Sequence, residues 1–158
     1  MDAHTDLLDK YRLDTDWTYI GSGQNGSAYR KGSTVVKVTT DEVELEHAKI
    51  VEDKKYPSLN PISNVEVHNP QLGTYHTPLL TPIPSQAKSN INKYAQKITK
   101  YIETGEEDLI EGLLPSLQKF FKQVRIDFKK AGIPLDETDI QGDNVMVDAS
   151  DKLKMIDY

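Results

Sequence analysis

The chain has 158 residues, 37% of them hydrophobic and 28% charged, with a formal net charge of -6 and no cysteine. That length suits one ordinary domain or two small lobes, and the apolar share is enough to build a core. The acidic balance argues against a broad nucleic-acid or membrane footprint, and the lack of cysteine excludes disulfides, thiolate nucleophiles and zinc–thiolate centres.

The N-terminal stretch MDAHTDLLDKYRLDTDW is acidic and interrupted by charge. It is unlike a secretory signal or a transit peptide. No apolar run is long enough to span a bilayer. The expectation is a cytoplasmic protein, or one delivered into a host cell, with neither nucleic acid nor membrane as partner.

Residues 1–15 read as a leader, with a short helix over 6–12 that puts Leu7, Leu8 and Tyr11 on one side. Residues 16–39 read as strands, because DWTYIGSG and STVVKVT are aromatic and β-branched, with a turn at Lys31–Gly32. DEVELEHAKIVEDKK reads as a helix that Pro57 and Pro61 end. NVEVH and GTYHTPLL read as strands around a turn at Asn69–Pro70, and TPIPS as a connector. The second half is helical. Ile91, Tyr94, Ala95, Ile98, Tyr101 and Ile102 recur at helical spacing up to Gly105. Leu117, Phe120, Phe121, Val124, Phe128 and Ala131 do the same up to Gly132. The end reads as a loop, a short strand NVMV, a turn DASDK and a short strand LKMI. The best hinge lies near residues 81–90.

The stretch IGSGQNGSAYRKGSTVVKV carries G-x-G-x-x-G at Gly21, Gly23 and Gly26. A dinucleotide fingerprint needs a helix right after its glycines, and here a strand follows. A Walker loop needs Gly-Lys-Ser/Thr, which is absent. A glycine turn between antiparallel strands remains, either as a plain structural turn or as a loop whose backbone N–H groups cover phosphates. Alternation puts Lys37 and Val35 on one face of the next strand. A lysine on a mostly apolar strand needs a carboxylate, a phosphate or both, or else it snorkels at a sheet edge. The following helix offers Glu42, Glu44 and Glu46. Glu46 is preferred because Ile50 lies one turn later and would pack inward, and Glu44 comes second.

In DIQGDNVMVDASDKLKMIDY, Asp139 and Asn144 fit D-x-x-x-x-N, and Asp157 ends the last strand. A carboxylate and a carboxamide are hard oxygen donors of the kind Mg²⁺ selects, so Asn144 and Asp157 are candidate metal ligands. Asp139 is placed to orient a hydroxyl and accept its proton. Asp143, Asp148 and Asp151 read as turn residues.

The ordered set of glycine loop, strand lysine, helix glutamate, Asp-x4-Asn and strand-end aspartate resembles the protein-kinase signature over residues 16–158. The resemblance implies an α+β, bilobal, protein-kinase-like fold. Its N-lobe would span 16–82, an antiparallel β-sheet with one helix. Its reduced helical C-lobe would span 83–158, with two helices, a catalytic loop and a metal-binding hairpin. It implies ATP and Mg²⁺ as cofactors and a protein substrate or partner, and it allows a homo-oligomer. It implies that Ile20, Gly21, Gly23, Gly26, Ala28, Val35, Lys37, Leu80 and Met146 bind nucleotide. Asp139, Lys37 and Glu46 would be catalytic, and residues 79–82 the hinge that reads the base edge.

Three departures qualify the resemblance. Glu137–Thr138 stands where a His-Arg pair is usual, Gln141 stands where a cation is usual, and Tyr158 follows Asp157 with no activation segment. The similarity is therefore to minimal kinases of the small bacterial effector or phage type. The implied activity is protein Ser/Thr phosphorylation or autophosphorylation. A pseudokinase or nucleotide-binding interaction module is the alternative, and a small-molecule phosphotransferase is a third reading.

Overall fold

A computed structural model of the chain describes residues 10, 16–22, 26–138 and 140–158. The expected helix over 6–12 lies outside these residues, Lys10 excepted. The chain forms two compact units. One joins the described residues up to Lys54 with Pro61–Leu79, and the other joins Lys55–Asn60 with Leu80–Tyr158. The fold is α+β, as the sequence implied.

The first unit is built on a five-stranded antiparallel sheet in the order β1-β2-β3-β5-β4. Its strands are β1 (Thr18–Ser22), β2 (Gly26–Lys31), β3 (Thr34–Thr39), β4 (Ser63–Asn69) and β5 (Leu72–Pro78). The β2–β3 hairpin turns through Gly32, whose φ of +60° is a conformation in which glycine carries no Cβ penalty. Between β3 and β4 lies one helix, α1 (Glu42–Val51). Asp41 starts it by accepting hydrogen bonds from the N–H groups of Val43 and Glu44. It ends four residues earlier than the sequence suggested, because Glu52 leaves the helical region at a ψ of 127° and Asp53 follows with a left-handed φ of +60°. One face of the sheet buries Tyr29, Val36, Val38 and Leu72, with Trp17 packed against them. The other face receives Leu45, and a Cβ on Gly73 would lie 2.6 Å from its Cδ2.

Among the described residues, the second unit holds three α-helices, α2 (Ser85–Lys93), α3 (Ala95–Thr104) and α4 (Pro115–Ala131). The expected single run through Ile91 and Ile102 is two helices, the first starting at Ser85. The break is Tyr94, whose φ of -110° and ψ of 16° leave the helical region. Periodicity misses it because the apolar stripe continues across the break. Gly105 and Gly132 end α3 and α4 in the left-handed conformation, at φ of +77° and +79°. Ile91, Ile98, Ile102, Leu117, Phe121, Val124 and Phe128 form the buried apolar side of these helices.

A three-stranded sheet completes this unit: β6 (Thr81–Pro82), β7 (Val145–Val147) and β8 (Leu153–Met155), all antiparallel. The expected connector thus contributes a strand. Leu59 bridges Met155 at the edge of β8. Asp127 is fully buried on α4 and ties the 55–60 segment down. Its Oδ2 accepts from the N–H of Ser58 at 2.9 Å and from the Ser58 hydroxyl at 2.7 Å. Its Oδ1 accepts from Gln123 at 2.9 Å. A carboxylate is tolerated in the interior when several donors solvate it in this way. Among the described residues, no helix is long and apolar enough to cross a membrane.

Candidate functional site

The candidate residues fall into two clusters, one in each unit. In the first unit, Lys37 lies in the middle of β3, directly opposite Ala28 on β2 and Tyr75 on β5. Residues paired in this way share a face. Ala28, Lys37 and Tyr75 therefore form a row across the sheet, with Val35 and Thr39 on the same side by alternation.

Glu44 reaches this row from the first full turn of α1. Its Oε1 lies 2.6 Å from Lys37 Nζ, and the side chains are 9% and 18% exposed respectively. Tyr75 Oη donates to the same oxygen. Thr39 Oγ1 donates to Oε2 at 3.0 Å and accepts from the N–H of Asp41 at 3.1 Å. The carboxylate is thus tied to two strands and to the start of its own helix.

This corrects the expected pairing. Lys37 pairs with Glu44, the second choice, and Glu46 is exposed. Two residues along an α-helix turn a side chain by about 200°, so only one of the two can face the sheet. The buried residues of the helix are Glu44, Leu45, His47, Ala48 and Val51, whereas Ile50, taken as the marker of the inner face, is only half-buried.

The glycine pattern divides as well. The ladder between β1 and β2 shifts between Tyr19 and Gly21, so Ile20 is an extra, exposed residue on a bulge. A Cβ on Gly26 would sit 2.1 Å from the carbonyl oxygen of Val38, so this glycine is required by the sheet itself. A Cβ on Gly21 meets nothing within 4 Å, and the chain's own packing does not demand a glycine there. Gly23 lies outside the described residues. Hydroxyls line this end of the hairpin. Tyr19 Oη and Ser22 Oγ are 2.5 Å apart, and Ser22 Oγ and Ser27 Oγ 2.9 Å.

In the second unit, the loop that leads into β7 is fixed from behind by helix side chains. Asn92 Oδ1 accepts from the N–H of Gly142 at 2.8 Å, and Thr99 Oγ1 from the N–H of Ile140 at 3.3 Å. Lys88 pairs with Asp143. A Cβ on Gly142 would come within 2.9 Å of the Lys88 carbonyl and of Asn92 Oδ1. Asn144 is half-buried, and its carbonyl accepts from the N–H of Ile156 at 2.8 Å. That bond sets Asn144 beside the end of β8, next to Asp157. Asp157 is exposed and has a left-handed φ of +54°, an uncommon conformation for aspartate. Met146 pairs with Pro82 and with Lys154, and Leu80 is buried. Asp139 lies outside the described residues.

Asp148 closes the β7–β8 turn, as expected of a turn residue. Its carboxylate accepts from the N–H groups of Lys152 and Ser150 at 2.9 and 2.8 Å. These bonds, that of Lys152 first, hold its carboxyl below the ordinary carboxylate value.

Asn144 and Asp157 provide hard oxygen donors of the right type for Mg²⁺. Among the described residues, no group of three or more His, Cys, Asp or Glu side chains gathers as metal ligands. A cation held by these two would complete its shell with water and phosphate oxygens, which is the common way Mg²⁺ is bound. Sequence reasoning missed Thr39, Tyr75 and Asn92. Thr39 shares the alternation of Lys37 and was open to view, but Tyr75 needs the β3–β5 register and Asn92 the packing of α2 on the loop.

No family model matches the sequence, and no curated protein sequence matches it. Among solved structures, the chain is similar to a MAP kinase from Leishmania major, at 14% identity and a TM-score of 0.47, over 98% of this chain and 50% of that one. It is also similar to a thermostable mutant of the aminoglycoside phosphotransferase APH(4)-Ia, determined with ADP and hygromycin B, at 8% identity and a TM-score of 0.33, over 68% of this chain and 41% of that one. A third similar structure is APH(2")-IIa in a ternary complex with streptomycin and ATP, at 14% identity and a TM-score of 0.39, over 99% of this chain and 71% of that one. The chain spans about half the length of the MAP kinase.

Proposed function

We propose that the chain is an ATP- and Mg²⁺-dependent phosphotransferase that acts on a Ser or Thr hydroxyl of a protein, itself included. The observation that carries the reading is the Lys37–Glu44 pair at 2.6 Å, set on an antiparallel sheet beside a glycine-containing hairpin. A mostly buried lysine braced by a carboxylate keeps its direction, and an ammonium is a compact donor suited to phosphate oxygens.

Lys37 neutralises phosphate oxygens of the nucleotide. Gly21 leaves room for close approach of the backbone to the phosphates, and Ala28 and Val35 line the same face for the base, with Leu80 and Met146 as further apolar contacts. Asn144 and Asp157 hold the cation. Bound Mg²⁺ offsets charge on the transferring group. Asp139 orients the acceptor hydroxyl and takes its proton as the oxygen attacks the γ-phosphorus and the bond to the leaving diphosphate breaks. Such a reaction asks the protein mainly for positioning and electrostatics.

Transfer of label from γ-labelled ATP tests this, with the wild type compared with Lys37→Ala and Asp139→Ala. Incorporation that falls by at least about a hundredfold in both variants supports the assignment. Equal incorporation in all three proteins overturns it. Nucleotide binding without transfer in the wild type points instead to an interaction module. Thermal denaturation with Mg-ATP reads the binding separately, since a ligand at a hundred times its Kd adds about 2.7 kcal/mol.

A further inference from the structure

The phosphotransferase reading requires Lys37 to divide its N–H donors between Glu44 and a phosphate. A carboxylate held by that lysine alone would be free to follow it, and α1 would move with the carboxylate. The contacts around Glu44 supply a different anchor. A carboxylate only accepts hydrogen bonds, so the protons on both neighbouring hydroxyls must point toward it. Tyr75 gives its proton to Oε1, the oxygen that Lys37 also faces, and Thr39 gives its proton to Oε2. The Thr39 oxygen is itself oriented by the N–H of Asp41, which caps α1. Hydrogen bonds to an ionised acceptor are the stronger kind, and Thr39, Glu44 and Tyr75 are all buried.

We infer that Thr39 and Tyr75 are positioning residues that hold Glu44, and with it α1, against the sheet independently of Lys37. The ion pair is then permanently assembled, and displacement of α1 is not a switch for this site. The effect on turnover rests on the phosphotransferase reading. The effect on α1 does not.

Two readouts test the two parts. Hydrogen exchange of the α1 amides, measured without nucleotide, compares the wild type with Lys37→Met, Thr39→Val, Tyr75→Phe and the double variant Thr39→Val/Tyr75→Phe. The expected result is α1 protection in Lys37→Met within about twofold of the wild type. The double variant should lose about tenfold or more while β2 and β3 keep their protection, which shows that the sheet still folds. Thr39→Ser keeps the hydroxyl and should restore wild-type exchange. Equal loss of α1 protection in Lys37→Met and in the double variant overturns the inference, as does unchanged exchange in the double variant. In the labelled-ATP assay, Tyr75→Phe should lower kcat by about tenfold with a smaller change in the KM for ATP, because a shifted Lys37–Glu44 pair misplaces the reacting group. A fall confined to KM overturns the positioning role. A wild type without transfer sinks the functional reading alone and leaves the exchange experiment intact.

Discussion

Tyr75 stands opposite Lys37 in the β3–β5 ladder, and both side chains reach the same oxygen of Glu44. A helix glutamate is thereby fixed to the centre of a sheet by a cation and a phenol on adjacent strands. The third contact, from Thr39, runs through the residue that also positions the helix cap. The start of α1 and the site therefore share one polar cluster, in which the two hydroxyls tie the helix glutamate to the sheet beside the ammonium.

The first prediction separates the two glutamates. Glu44→Ala leaves a mostly buried ammonium and two hydroxyls without their acceptor, and breaking a buried pair from one side costs about 3 kcal/mol. Glu46→Ala, on the exposed side of α1, should stay within about 0.5 kcal/mol of the wild type. Urea midpoints of the two variants decide the matter, and equal midpoints would contradict the observed pairing.

A second prediction concerns the glycines of the β1–β2 hairpin. Gly26→Ala drives a methyl group into the Val38 carbonyl and should cost about 1–3 kcal/mol, as overpacking does. Gly21→Ala meets open space and should leave stability within about 0.5 kcal/mol. If phosphates approach the backbone there, Gly21→Val should weaken Mg-ATP binding with little change in thermal stability. Calorimetric titration alongside a melting curve separates the two effects.

Asp127 is the third test. Asp127→Ala strands the buried N–H of Ser58, so the loss should be about 3 kcal/mol, near the upper end for hydrogen bonds to a charged group. Ser58→Ala removes only the hydroxyl donor and should cost about 1 kcal/mol. Denaturant titrations of both variants, with Gln123→Ala as a third, compare loss of the acceptor with loss of each side-chain donor.

The fourth prediction is a pH dependence. His76 on β5 packs edge-on against Trp17, with ring centroids 5.9 Å apart. Burial pushes its pKa below the ordinary 6.5, the nearby Glu66 opposes that shift, and Lys10 adds to it. The folded protein thus holds this imidazole neutral at a pH where the unfolded chain protonates it. Its contribution to stability is complete above the unfolded value and is lost as pH falls from about 6.5 toward the lower folded value. His76→Gln should flatten the fall in stability between about pH 7 and 5 relative to the wild type. Parallel slopes for the two proteins would contradict this.

Local chemistry alone decided much of this protein. β-Branched alternation set β3 and the face of Lys37, Asp41 set the start of α1, and Gly105 and Gly132 set the ends of α3 and α4. These signals are legible because each depends on a few neighbouring residues. The choice of Glu44 over Glu46 needed the phase of α1 on the sheet, the break at Tyr94 hid within an unbroken apolar stripe, and the role of Gly26 needed the approach of the Val38 carbonyl. Tyr75, Asn92 and the Ser58–Asp127 bond join residues 31, 50 and 69 positions from their partners. No local pattern encodes such contacts, because strand register and helix packing are fixed by burial summed over the whole fold rather than by any single segment.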